Sequence, residues 1–410
     1  MGQASARAIA QNALREWRAG DKFADTIIRH HLAASQLRDA DRAFTTELFY
    51  GILRNLSVLD LWISLLRSDP LDDDTRDLLR LGLYQVLLLR TPEHAAVYET
   101  VALGTKRNRT VVNGVLRNAL RRRSALENEA AFQDLAVRKS HPRFLVERWQ
   151  QNMGRAETES LCDWNNRPAA VYARINRLKT SQDDFISNHP EAELMEDDFV
   201  RLQRIPHDAL AAGECYIQDP STTAACRLLD PRPGERVLDA CAAPGGKAAL
   251  LAQLMKNKGM IVACDRDSSR VQTLQANLDR LGVEIAQLHR HDWIDGIPFP
   301  EAGFDRILID APCSNTGVMR RRVDVRWRLR PEDFSRMPDQ QIRIARAVIP
   351  LLRPGGILVY STCSIEPEEN QHVVAGIVRE LPFLKLAEQI SLFPFKDQCD
   401  GAYAAKLIRQ

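Results

Sequence analysis

The sequence predicts a multidomain protein with an all-α bundle first, a small α+β segment next, and a carboxyl-terminal α/β domain built on a doubly wound sheet. Three observations predict this order. Apolar residues recur at helical spacing from Ala6 to Arg123, strand-like alternation appears from Pro168 to Leu178, and beyond Arg236 short apolar strands alternate with helical stretches. With 410 residues and 45% hydrophobic content, the chain can bury two or three cores.

In the first domain, Leu78, Leu79, Leu81, Tyr84, Leu87 and Leu88 form an apolar stripe of helical period. Asp72 to Asp74 supply a helix start, and Thr91-Pro92-Glu93 closes the stretch. Net charge is only +2, yet residues 1–123 carry 19 Lys and Arg against 14 Asp and Glu. That excess suits a polyanionic partner and equally suits a solvated helical surface. Residues 1–125 are read as this helical domain, 126–165 as a helical connector, 166–230 as the small mixed segment and 231–410 as the α/β domain.

Met1 to Ala10 lack the apolar run of a secretory leader, and Leu81 to Leu89 is too short to span a membrane. The eight cysteines contain no C-x-x-C pair, so neither a metal site nor a disulfide framework is expected. Scattered free thiols fit the reducing cytoplasm. In the mixed segment, Arg174 and Arg177 alternate with Tyr172, a pattern shared by an exposed sheet face and an RNA-binding one.

In the last domain, strands are expected at Arg236 to Asp239, Met260 to Cys264, Glu284 to Leu288, Asp305 to Ile309 and Ile357 to Thr362. Ile307 to Ile309 read as a buried central strand, which places Asp310 and Cys313 just beyond its carboxyl end. Gly356 to Thr362 delivers Cys363 to the same edge. After the first strand comes D-A-C-A-A-P-G-G-K, Asp239 to Lys247. Gly245 and Gly246 permit a tight turn into a helix whose amide donors face the pocket.

Neither a dinucleotide fingerprint nor a Walker loop is present. Asp265 stands where an acid can bond ribose hydroxyls, and Asp292 is expected beside an adenine, although strand-end acids also serve as helix caps. A pocket lined by Asp239, Asp265, Asp292 and Asp310 suits a cationic nucleoside such as S-adenosylmethionine. The expected cofactor-binding residues are Cys241, Ala242, Ala243, Pro244, Gly245, Gly246, Lys247, Asp265, Asp292 and Asp310.

Two resemblances follow from the motifs. D-R-A-F-T-T-E-L-F-Y-G-I-L-R (Asp41 to Arg54), L-L-R-L-G-L-Y-Q-V-L (Leu78 to Leu87) and V-N-G-V-L-R (Val112 to Arg117) resemble the NusB family of RNA-binding helical domains. This implies that Arg107, Arg109, Arg117 and Arg121 to Arg123 face a phosphate backbone, while a solvated helix end explains them as well. A-C-A-A-P-G-G-K (Ala240 to Lys247), D-A-P-C-S-N-T-G (Asp310 to Gly317) and Y-S-T-C-S-I-E-P-E-E-N (Tyr360 to Asn370) resemble the Sun family of RNA cytosine-5 methyltransferases.

Together the resemblances cover nearly all of the chain. They imply a NusB-like bundle and a Rossmann-like class I methyltransferase domain. The implied activity is S-adenosylmethionine-dependent formation of 5-methylcytidine in small subunit (16S) ribosomal RNA. One departure is Ala402-Tyr403 where such enzymes usually carry two phenylalanines after Asp-Gly.

Carbon 5 of cytosine attacks a methyl group only after a thiolate has added at carbon 6 and made the ring an enamine. Pro312-Cys313 and Thr362-Cys363 both offer a nucleophile. The resemblance favours Cys363 as the attacking thiol and Cys313 in product release, with Asp310 bonding or protonating the ring nitrogen beside the amino group. From Arg320 to Arg330, six arginines surround Trp327; the run reads as a further RNA contact, with Trp327 either packed or stacked on a base. The protein is thus expected to be a monomer acting on ribosomal RNA. The competing readings are a NusB-like assembly or antitermination factor with a vestigial methyltransferase domain, and methylation of transfer RNA or DNA.

Overall fold

The computed structural model describes residues 5–20, 22–296 and 303–410. The chain divides into two compact units, Met1–Arg167 with Met319–Arg328, and Pro168–Val318 with Leu329–Gln410.

The first unit is helical. Its helices begin where side chains satisfy the free amides of a first turn. Ser5 caps Ala6–Ala19, and the Asp72 carboxylate accepts from the Thr75 amide at 2.8 Å to open Asp73–Leu83. That helix runs on into a π-helical turn, Tyr84–Leu88. Leu48, Phe49, Ile52, Leu59, Leu79, Leu81 and Leu116 are buried in one core, so the apolar stripe read from the sequence faces the bundle interior, except at its last residue, Leu88, which is exposed.

Met319–Arg328 belongs to this unit, which corrects the reading of Arg320 to Arg330 as an RNA-facing run. Val323 joins the bundle core, and the Trp327 indole donates to the Leu53 carbonyl at 2.9 Å. The Arg320 guanidinium lies 4.0 Å from the centre of the Trp164 ring. Arg326 is fully buried and donates to Asn166 Oδ1 at 2.7 Å, to the Asn165 carbonyl at 3.0 Å and to the Ser140 carbonyl at 3.2 Å. Two of those acceptors end the helix Arg155–Asn166, where a cation is favoured by the helix dipole. A count of arginines cannot distinguish buried caps from solvated charges. Of the six, Arg322 and Arg330 are the exposed ones.

Arg326→Ala should therefore destabilise the full chain by about 2–4 kcal/mol, since it leaves buried carbonyls without donors, while Arg322→Ala should change stability by less than about 0.5 kcal/mol. Urea unfolding followed by tryptophan fluorescence checks this, and equal effects of the two substitutions would contradict it.

The second unit opens with a four-stranded antiparallel sheet of β1 (Val171–Ile175), β2 (Glu193–Leu194), β3 (Phe199–Leu202) and β4 (Cys215–Ile217), in the order β2-β3-β1-β4. Arg174 on β1 corrects the expectation of an exposed or RNA-facing arginine, because it is buried. It donates to Gln218 Oε1 at 3.1 Å and Gln253 Oε1 at 2.7 Å, with the Gly246 carbonyl 3.4 Å away. Strand alternation does not reveal what packs over a sheet face, here Gln218 and Gln253.

A seven-stranded sheet follows, built from β5 (Arg236–Asp239), β6 (Met260–Asp265), β7 (Ala286–Arg290), β8 (Phe304–Asp310), β9 (Leu352–Thr362), β10 (Leu384–Leu392) and β11 (Ala402–Arg409). The order is β10-β11-β9-β8-β5-β6-β7, with β5 to β9 parallel. β11 pairs antiparallel with both β9 and β10, so the sheet is mixed where a wholly parallel one was expected. Ala402, Ala404 and Ala405 give β11 little strand propensity of its own; its place between two strands supplies it.

Tyr403 is buried at the Ala402-Tyr403 departure, edge-to-face with Tyr360 at 6.5 Å, and its hydroxyl bonds Gln389 Oε1 at 3.1 Å. One aromatic thus still fills that wall. Among the described residues no single helix is long and apolar enough to cross a membrane.

Candidate active site

The order of strands reverses between β5 and β8, and ligands of such sheets bind beyond the carboxyl ends at that point. β8 and β9 are neighbours in parallel register, with Asp310 opposite Ser361. The chain beyond each strand end therefore carries its cysteine to the same place. Cys313 Sγ and Cys363 Sγ lie 3.2 Å apart. The Cys313 thiol is pushed well above its ordinary range, by its hydrogen bond with Cys363 first and by burial second. Cys363 is partly exposed, and its thiol also reaches Asn315 Oδ1 at 3.1 Å.

Asn315 adopts a left-handed conformation, φ 60°, and its side-chain Nδ2 donates to the Cys313 carbonyl at 2.9 Å. Gly317 then passes so close to the other loop that a Cβ would stand 2.7 Å from the carbonyl oxygens of both Cys363 and Gly401. Only glycine fits there.

Asp310 is gripped from two sides. Lys247 Nζ meets Oδ2 at 2.7 Å, and the Ser361 hydroxyl donates to Oδ1 at 3.0 Å. Burial alone would lower the Lys247 pKa, but Asp310 outweighs it and holds the ammonium above its usual range. Lys247, assigned from sequence to the cofactor loop, thus points its charge at the acid beside the two thiols.

The loop Asp239 to Lys247 turns at Gly245, whose φ of 110° excludes an L side chain without strain, into the helix Gly246–Leu254. The Ala243 carbonyl accepts from Arg270 at 2.8 Å and the Pro244 carbonyl from Asn277 at 2.9 Å. Asp239 is fully buried, and neither of its oxygens completes a hydrogen bond with a described group. Burial first and Asp310 second push its pKa up to about 7, against the charge of Lys247 and, less strongly, the Cys241 N–H, which pull it down. A buried acid with no hydrogen-bonded cation among the described groups fits a site for a positively charged ligand.

Asp265 ends β6, buried, in an ion pair with Arg270 at 3.2 Å and accepting the Asp267 amide at 3.2 Å. The cap of the following helix is Asp267, so Asp265 is not a capping residue. Asp292 does cap, accepting the Ile294 amide at 3.1 Å to start the short turn Trp293–Asp295. It also lines an open cleft with Arg266, Asp267, Arg290 and His291 beyond β6 and β7. Between Asp239 and Gly245, Ala242 and Ala243 are buried and Cys241 is half-buried. Asn315, Ser361 and Glu369 were not singled out from sequence. All three sit inside the quoted motifs, but nothing in their type or spacing separates them from their neighbours.

Comparison with known proteins matches residues 226–408 to the model of the 16S rRNA methyltransferase RsmB/F family, residues 4–121 to the NusB family, and residues 141–195 to the ferredoxin-like domain of RsmF/B-like methyltransferases. The probable ribosomal RNA small subunit methyltransferase B of Bacillus subtilis is 35% identical over 403 residues, covering 93% of this chain and 90% of that protein. The ribosomal RNA small subunit methyltransferase B of Klebsiella pneumoniae is 37% identical, covering 92% of each.

The chain belongs to the ribosomal RNA small subunit methyltransferase B family. It is accordingly a methyltransferase.

The solved protein PH0851 shares the fold over 99% of each chain, with a TM-score of 0.81 at 24% identity. A methyltransferase homolog protein from Pyrococcus horikoshii is 28% identical with a TM-score of 0.59, covering 68% of this chain and 98% of that one.

Proposed function

We propose that this methyltransferase forms 5-methylcytidine in small subunit ribosomal RNA, in the cytoplasm, through a covalent adduct at Cys363. The observation that carries the reading is the 3.2 Å approach of two thiols beside an acid and an ammonium, close enough together to act on a single base. Membership in a family named for small subunit ribosomal RNA supports the substrate. The helix Arg109–Arg121 supports RNA contact, because Arg109, Arg117 and Arg121 are exposed along it with Arg107 just before it. A vestigial domain is disfavoured by the intact set of Asp310, Cys313, Cys363 and Lys247.

Cys363, its thiol proton given up to solvent, adds its sulfur to carbon 6, and the displaced electrons move through the ring to nitrogen 3. Salt-bridged Asp310 presents acceptor oxygens, suited to the exocyclic amino group, while Lys247 is the donor of the pair and can supply the proton that nitrogen 3 takes up. Carbon 5 is then nucleophilic. S-adenosylmethionine, when bound, supplies the methyl group. Asp239, the loop from Cys241 to Lys247, Asp265 and Asp292 would hold it. Water takes the carbon 5 proton and Lys247 takes back the proton on nitrogen 3, so the double bond re-forms and Cys363 is expelled as thiolate. Cys313 holds its proton beside the Cys363 sulfur, where it can assist that departure.

Cys363→Ala should abolish both turnover and adduct. Cys313→Ala should keep attack and methyl transfer while blocking release, so labelled RNA remains attached. A denaturing gel reads this directly, and the reverse pattern would make Cys313 the nucleophile.

The raised acid gives a second test. Asp239 changes from mainly protonated to mainly ionised as pH rises through about 7, and a cationic ligand favours the ionised form. Affinity for S-adenosylmethionine should therefore rise with pH between 6 and 8, by up to about tenfold per unit below the pKa. Asp239→Asn should weaken binding at pH 8 and flatten the dependence. Calorimetry at the two pH values checks this; equal wild-type affinities would contradict it.

A further inference from the structure

Glu369 lies outside the reaction as derived so far, yet it is fully buried between the two cysteine loops. Its carboxylate meets four neutral donors, two on each oxygen. Oε2 accepts the Ser314 amide at 2.8 Å and the Gln341 side-chain amide at 3.0 Å. Oε1 accepts the Ser364 hydroxyl at 2.7 Å and the Ser314 hydroxyl. Ser314 directly follows Cys313, and Ser364 directly follows Cys363. Gln341 also donates to the Pro312 carbonyl at 3.0 Å, on the other side of Cys313.

We infer that Glu369 is a positioning residue, a single carboxylate that clamps the Cys313 and Cys363 loops together and so sets the separation of the two thiols. The inference rests on the proposal that both thiols act on one ring.

The side chain has to be an acid. Burying a carboxylate without a cation is costly unless every lone pair is used, and here four donors use them. An amide in its place would turn N–H groups toward donors. Thr316 completes the arrangement, its hydroxyl accepting the Ile365 amide at 3.1 Å and lying 3.2 Å from the Ser364 hydroxyl. The loop carrying Glu369 is itself tied down. The Tyr360 hydroxyl donates to the Glu369 carbonyl at 2.6 Å, and Asn370 bonds Thr362 Oγ1 at 2.5 Å and the Ser364 carbonyl at 2.9 Å.

The test uses the full chain, unmodified ribosomal RNA and S-adenosylmethionine. Glu369→Gln should lower kcat by about a hundredfold, the effect of displacing a reacting group by about 1 Å, with the KM for S-adenosylmethionine held within about twofold. Because the loosened Cys313 loop fails in release, the variant should also retain RNA on a denaturing gel. A merely structural contribution would lower the yield of folded protein without enriching that band.

Ser314→Ala and Ser364→Ala remove one donor each, and the double variant should approach Glu369→Gln rather than multiply the single effects. If Glu369→Gln does not fold, these serine variants decide. Turnover near wild type in Glu369→Gln, or in both serine variants, overturns the clamp and leaves Cys363 untouched. Activity in Cys363→Ala would instead overturn the assignment of the nucleophile.

Discussion

The parallel pairing of β8 with β9 is the constraint on which the site depends. With Asp310 opposite Ser361 and the Ala311 amide bonded to the Ser361 carbonyl at 2.8 Å, the two strand ends are level. Whatever follows each strand by a few residues must then meet across the edge. A slip of one residue would turn Asp310 to the other face of the sheet and away from Lys247 and Ser361. Both strands are buried in their interior, Ile307 to Ile309 on one and Leu358 to Tyr360 on the other, so the register is fixed by packing well below the chemistry.

Three acids near the thiols stand in three electrical settings, and their roles differ for that reason. Asp310 has an ammonium at 2.7 Å and is partly exposed, which suits a group that meets the substrate. Glu369 has only neutral donors and no exposure, which suits a group that holds others in place. Asp239 has no hydrogen-bonded cation among the described residues, and burial lifts its pKa to about 7 against the charge of Lys247, which suits a group awaiting a charged ligand. The residue type is the same or nearly so in all three; the partners decide.

The strand-end positions of Asp239, Asp265, Asp310, Cys313 and Cys363 were legible because a short apolar run bounded by Gly and Pro fixes where a buried strand stops. The helical domain was legible from its period and from Asp72 as a cap. What the sequence did not reveal depends on contacts distant along the chain. Arg326 and Arg174 look like surface charges until the carbonyls and amides that receive them, some of them more than 70 residues away, come into view. β11 carries too many alanines to read as a strand without its two neighbours. That Asp267, and not Asp265, caps the following helix is a two-residue matter that motif spacing cannot resolve.

The central claim is that one sulfur, that of Cys363, bonds carbon 6 of a cytosine in RNA. The most direct measurement uses the wild-type protein, S-adenosylmethionine and RNA bearing 5-fluorocytidine, whose carbon 5 fluorine cannot leave as a proton and so arrests the adduct after methylation. Nuclease and protease digestion followed by mass spectrometry should place one methylated fluorinated nucleotide on the peptide containing Cys363. The same mass on the Cys313 peptide, or no modified cysteine under conditions that methylate ordinary RNA, would contradict the account.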